Sequence, residues 1–211
     1  CALPICLSVV DAMRTELTTL EHTILLPYLD TAASLPGTMP WAELFTHPAA
    51  HAQAIQFEQL PFDHPLWVVY SSGTTGLMKG VMLTHAGLLQ FGKVSAQSRQ
   101  LVPTDRSYAY LPMTHIFGLG TVLMASLHAG AGLLMRSQFD PADVFDALAH
   151  QGLTQLQGPP AMFTRLLAWL DGQGIDHPAA PDLRYVYTGA APLDLSVKKA
   201  IEARFGQLGL R

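Results

Sequence analysis

The chain has 211 residues, enough for one domain with a sizeable core or for part of a larger one. Twelve Lys and Arg against sixteen Asp and Glu give a net charge of −4, which argues against nucleic acid as an electrostatic partner. With 49% apolar and 13% charged residues it is neither a disordered chain nor an acidic tail, and its two cysteines are too few for a disulfide scaffold, so a reducing, cytoplasmic setting is expected.

Residues 31–65 form the loosest stretch, with six prolines and glycines (Pro36, Gly37, Pro40, Pro48, Pro61, Pro65) and one short helix expected near Trp41–Phe45. Residues 1–62 are therefore read as a loosely connected first part and 63–211 as the core region. There, Leu66–Tyr70 and Val81–Thr84 read as two buried strands joined by a glycine- and hydroxyl-rich loop. Thr84 is the expected N-cap of a helix over His85–Gln100. A strand at Arg106–Leu111, an apolar helix at His115–His128 and a strand at Gly132–Met135 follow. Ser107–Met135 carries no Asp, Glu, Lys or Arg, but Pro112, Gly118, Gly120, Gly130 and Gly132 interrupt it, against a transmembrane segment. Asp140-Pro141 opens a helix to His150. A strand at Thr154–Gln157, a helix at Ala161–Leu170, a strand at Leu183–Thr188 and a helix from Asp194 to Gly206 complete the chain. Strands alternating with helices of this length predict an α/β fold with a mostly parallel sheet and flanking helices. Ligands of such sheets bind outside the carboxyl ends of the strands, which directs attention to the loops after Tyr70, Leu111, Gln157 and Thr188.

The segment Tyr70-Ser71-Ser72-Gly73-Thr74-Thr75-Gly76-Leu77-Met78-Lys79-Gly80 concentrates four Ser and Thr hydroxyls, three glycines and a lysine. Successive backbone N–H groups in such a turn make an anion-binding concavity, hydroxyls donate to phosphate oxygens, and an ammonium adds a point charge. The spacing is not that of a Walker A loop, and a strand rather than a helix is expected to follow. Composition alone leaves open a plain hairpin turn with an incidental lysine. Histidines offer no metal set: His47 and His51 are four apart with Pro48 between them and no third ligand.

The stretch YSSGTTGLMKGVMLTH resembles the signature of the AMP-forming acyl-CoA synthetases, the adenylate-forming superfamily that includes luciferase and 4-coumarate–CoA ligase. One position departs: Met78 stands where the family prefers Pro, a loosening of about 0.4–1 kcal/mol in chain entropy that removes no phosphate donor. Pro112-Met113-Thr114-His115-Ile116-Phe117-Gly118 resembles the family's P-x-x-H-x-x-G block, Thr188-Gly189-Ala190-Ala191-Pro192-Leu193 its S/T-G-[AG]-A-P-L block, and Gln157-Gly158-Pro159-Pro160 its V-P-P segment. Taken alone, the Thr188 block also reads as a strand-end turn before a helix, and His115 as a satisfied core residue.

The resemblance implies an acid–thiol ligase that activates a fatty or aromatic carboxylic acid as acyl-AMP and passes it to coenzyme A. It implies that Ser71, Ser72, Gly73, Thr74, Thr75, Gly76 and Lys79 cradle the ATP phosphates. Thr188, Gly189, Ala190, Ala191 and Pro192 would border the nucleotide and acyl pocket, and His115 would contact the reacting carboxylate, with Lys79 and His115 as the catalytic candidates. ATP/AMP, Mg²⁺ and coenzyme A are the implied cofactors, but the family's Mg²⁺-binding Glu, ribose-binding Asp and C-terminal catalytic Lys match nothing in these 211 residues. The expectation is an internal piece of the large N-terminal domain that does not adenylate alone. An adenylation domain loading a carrier-protein phosphopantetheine, and a non-catalytic nucleotide-binding module, are the alternative readings. The oligomeric state is not readable.

Overall fold

The structure, a computed structural model, describes residues 7–26, 32–46, 56–71, 76–206 and 209–210. Two compact units divide at Gln59/Leu60. The first unit holds helix α1 (Leu7–Glu16), a two-residue parallel pair of strands β1 (Ile24–Leu25) and β2 (Met39–Pro40), and the short expected helix, α2 (Trp41–Thr46). Helix α1 and the β1–β2 pair add order that the sequence reading did not foresee. Arg14 on α1 bonds Asp11 at 2.9 Å and donates to the Pro36 carbonyl at 2.5 Å, so one guanidinium ties the helix to the Pro-Gly turn.

The second unit opens with β3 (Pro65–Ser71) and β4 (Lys79–Thr84), paired antiparallel with Ser71 opposite Lys79 and Val69 opposite Val81. Here the structure corrects the expectation of two buried strands: Leu66, Val68, Tyr70, Val81 and Met82 are all exposed. An apolar run specifies a strand but not what will lie over it, and a two-stranded ribbon leaves most of both faces open. A Cβ on Gly80 would stand 2.9 Å from Val68 Cγ1, so the exposed Val68 side chain would have to turn to make room for it. Helix α3 (His85–Ser98) follows without a linker, and the Thr84 hydroxyl accepts from Gly87 N–H at 3.1 Å as the predicted N-cap.

The rest is a five-stranded, wholly parallel sheet in the order β6-β5-β7-β8-β9, with β5 (Arg106–Ala109), β6 (Gly132–Met135), β7 (Gln155–Gly158), β8 (Tyr185–Thr188) and β9 (Gly209–Leu210). The expected apolar helix at His115–His128 divides into a π-helix over Phe117–Met124 and α4 (Ala125–Ala129). Two glycines set the path of the π-helix. A side chain on Gly118 would overlap the Pro112 carbonyl, and one on Gly120 would overlap the Phe91 ring of α3. Helices α5 (Pro141–His150), α6 (Pro160–Gly172) and α7 (Leu195–Phe205) start where the sequence places them, with Asp140 and Asp194 accepting from Ala142 N–H and Ser196 N–H as caps.

The core forms where the inner faces of α5, α6 and α7 meet the sheet. Val144, Leu148, Phe163, Leu166, Leu170 and Ile201 close on Tyr108, Leu156 and Val186. Burying each of these large side chains contributes about 1.5–3 kcal/mol. At the amino ends of the strands, the buried Asp105 carboxylate accepts from Arg184 Nη1 at 2.7 Å, Thr154 Oγ1 at 2.8 Å and Val102 N–H at 2.9 Å. Three chain segments that lead into β5, β7 and β8 are thereby tied at one end of the sheet. No helix among the described residues is long and apolar enough to cross a membrane.

Candidate functional site

Two strands deliver their ends to one place. Strand β5 runs out through Tyr110 and Leu111 to Pro112, where His115 N–H bonds the Pro112 carbonyl at 3.0 Å. Strand β8 ends at Thr188 and passes directly into Gly189 and Ala190. Between these loops lies a cavity of about 370 Å³, bordered by His115, Ile116, Phe117 and Thr121 on one side and Tyr187, Thr188, Gly189 and Ala190 on another. Two blocks far apart in the sequence, singled out on motif resemblance alone, share that space.

The His115 ring is exposed, and its Nδ1 accepts a bond from Phe117 N–H at 3.1 Å. A nitrogen that accepts from an N–H carries no proton, so the neutral ring presents Nε2–H as a donor. The ring is thus held by its own backbone with Nδ1 as acceptor and Nε2 as donor. Ala190 takes a left-handed φ of +69°, rare for a residue with a side chain. The turn after β8 therefore holds local strain of the kind that gathers at ligand sites. Gly189 leaves open space where a side chain would stand, and Ala191 and Pro192 continue the turn at the surface.

The hydroxyl loop is placed differently. Ser71 closes β3, Lys79 opens β4 directly opposite, and both are exposed. Gly76 has φ +80° with nothing within 4 Å of its missing side chain, so the chain reverses there in a conformation that favours glycine. Ser72, Gly73, Thr74 and Thr75 lie outside the described residues. Ser71, Gly76 and Lys79 do not line the cavity that holds His115 and Thr188.

Sequence reading missed the floor of that cavity. Arg99, just past the end of α3, is one of only two buried charged side chains among the described residues; the other is Asp105. Its Nη1 donates to the Thr121 carbonyl at 2.7 Å and to Gln157 Oε1, and its guanidinium lies 5.1 Å from the centroid of the Tyr187 ring. The Tyr187 hydroxyl returns a bond to the Arg99 carbonyl at 2.5 Å. Burial pushes the guanidinium pKa down to about 10, partly offset by Tyr187, so the group stays cationic at neutral pH. Gln155 and Gln157 alternate with Leu156 on β7, which places both amides on one face of a fully buried strand. That alternation was the available signal: polar residues at period two inside an otherwise apolar strand.

Among the described residues no group of three His, Cys, Asp or Glu side chains could hold a metal ion.

A family model described as "AMP-binding enzyme" matches residues 8–210. Sulfoacetate–CoA ligase of Cupriavidus necator is 34% identical over 159 residues, covering 75% of this chain and 30% of the relative. ATP-bound MatB from Rhodopseudomonas palustris superposes with a TM-score of 0.65 at 28% identity, covering 73% of this chain and 30% of that one. The inhibitor-bound N-terminal domain of FACL13 from Mycobacterium tuberculosis gives 0.67 at 26% identity, covering 94% and 46%. The chain thus spans about 30% of the length of the ligase relative it matches. With a family model matched over nearly its whole length, and with a parallel sheet that brings two of the four motif stretches to one cavity, the chain belongs to the AMP-binding enzyme family, the adenylate-forming superfamily.

Proposed function

We propose that this chain supplies the nucleotide- and acyl-handling surface of an ATP-dependent acid–thiol ligase. In the first step a carboxylate oxygen attacks the α-phosphorus of ATP, and pyrophosphate leaves. In the second, the thiol sulfur of coenzyme A attacks the acyl carbon, its proton passes to solvent, and AMP leaves. A cytoplasmic setting fits both co-substrates. The observation that carries the reading is the cavity at the carboxyl ends of β5 and β8, with His115 on one wall and Thr188–Ala190 on the other.

The chemical problem is charge, since an anion must approach a phosphorus already surrounded by anionic oxygens. The Nε2–H of His115 is available to an oxygen of the acid, and it needs no proton removed, because the carboxylate is already ionised near neutral pH. Ser71, Ser72, Gly73, Thr74, Thr75, Gly76 and Lys79 are proposed to hold the β- and γ-phosphates. Thr188, Gly189, Ala190, Ala191 and Pro192 are proposed to border the nucleotide and the acyl group. Ile116, Phe117 and the Tyr187 ring would lie along the carbon skeleton of the acid, which suits an aliphatic or aromatic chain.

Lys79→Ala tests the phosphate role. Lys79 is exposed at the mouth of the hairpin and makes no ion pair among the described residues, so folding stability should change by less than about 0.5 kcal/mol. Loss of one charged hydrogen bond, about 1.5–3 kcal/mol, should weaken ATP binding about tenfold or more by calorimetry. Unchanged ATP affinity in a normally folded variant would remove Lys79 from the site.

A further inference from the structure

The two buried charges of the described chain differ in what answers them. The carboxylate of Asp105 is answered by Arg184. Arg99 is answered by no acid among the described residues: the ion pairs present involve Arg14, Arg136, His150, Arg184, Lys198 and Arg204. Its protein partners are neutral, a carbonyl, an amide oxygen and an aromatic face. It is 8% exposed, and it lines the cavity that holds His115 and Thr188. Two more polar groups nearby are unsatisfied. Thr188 lines the same cavity and its buried Oγ1 has no partner, and outside the lining Gln157 Nε2, on the amide that braces Arg99, is buried without one. A lone buried cation with idle donors beside it is costly unless something anionic completes it.

We infer that Arg99, with Thr188 and Gln157 beside it, is a specificity subsite for a second anionic group on the acid, so that the substrate is a dianionic acid such as a dicarboxylate. The inference rests on the acyl-adenylate reading of this cavity and deepens it. The chemistry of activation separates the two ends of such an acid. The reacting carboxylate loses its charge when it becomes the mixed anhydride. A permanent cation aimed at that end would hold the free acid more tightly than the anhydride, which works against the reaction. A second carboxylate or sulfonate keeps its charge through both steps, and a fixed guanidinium can hold it throughout without penalising either. Arg99 is braced before any ligand arrives, by Thr121, Gln157 and the Tyr187 ring, so little ordering is left to do on binding.

The test uses two hydrolysis-resistant adenylate probes of equal carbon count, 5′-O-(N-succinylsulfamoyl)adenosine and 5′-O-(N-butanoylsulfamoyl)adenosine, titrated into the full chain by calorimetry. The expected result is a preference of about tenfold to a hundredfold for the succinyl probe. Arg99→Met should bring the two affinities within about threefold, and Arg99→Lys should keep part of the preference. The unmodified chain decides the matter even if the Met variant does not fold. Equal affinity of the two probes overturns the subsite and leaves the adenylate reading standing. Equal weakening of both probes in Arg99→Met also overturns it, since the guanidinium would then face the part they share. Binding of neither probe overturns the adenylate reading, and the inference with it.

Discussion

Gly118 is the place where a single methyl group should reach the site through the backbone. A Cβ built there overlaps the carbonyl oxygen of Pro112 and stands 2.7 Å from its carbonyl carbon and 2.9 Å from the Leu111 oxygen. All three obstacles are main chain, so none can swing aside as a side-chain tip would. The Pro112 carbonyl also accepts from His115 N–H at 3.0 Å, and that bond sets the turn from which the His115 ring projects. Gly118→Ala must therefore open the turn. Forced overpacking costs about 1–3 kcal/mol and the lost backbone bond about 1 more, a total of about 2–4 kcal/mol. Urea unfolding followed by tryptophan fluorescence measures the loss, and titration with an acyl-sulfamoyl adenosine measures the displacement of His115. Gly172→Ala is the internal control, because nothing lies within 4 Å of its missing side chain. A Gly118→Ala variant within about 0.5 kcal/mol of the parent, with unchanged probe affinity, would refute the close-packing account of this block.

Three other perturbations separate the parts of the molecule. Asp105→Asn should cost about 3 kcal/mol in urea unfolding, because it leaves Thr154 and Val102 without their charged acceptor while Arg184 stays half in water; a loss below about 1 kcal/mol would show that the cluster does not hold the sheet. Ala190→Gly should leave stability unchanged or raise it by about 1 kcal/mol, since it releases a left-handed alanine; a clear fall in thermal midpoint would contradict the strain assigned there. The Asp194 carboxyl is held below its ordinary value by the Ser196 side chain and then by Ser196 N–H. Its contribution to α7 is present above the ordinary carboxylate pKa of about 3.9 and should fade as pH falls below that through the lowered folded value, which circular dichroism of the parent against Asp194→Ala would read as converging helix signals.

Much of the fold was legible because local signals and tertiary needs agreed. Asp140, Thr84 and Asp194 announce helix starts by capping chemistry, and the structure uses each one. The parallel strands were legible as apolar runs spaced by helices. Two features were not. The hairpin strands β3 and β4 carry the composition of buried strands yet stand exposed, since burial depends on which layer packs above, and no local residue records that. Arg99 follows Gln97 and Ser98 at a helix end that looks solvated. Its partners Thr121 and Gln157 are 22 and 58 residues away, and only the sheet brings them together. At the site, His115 and the Thr188 block meet because both follow strands of the same parallel sheet, at the end where such sheets take their ligands.

The Asp105 cluster sits at the opposite end of those strands from the cavity, and this division of labour governs how such a protein can diversify. Registry is locked where no ligand reaches, so the far rim is free to vary. On the subsite reading proposed above, an exchange at Ile116 on the cavity wall would change which acid is welcome and leave the Asp105 cluster untouched. New selectivity in this architecture is then a matter of refurnishing one end of a rigid frame.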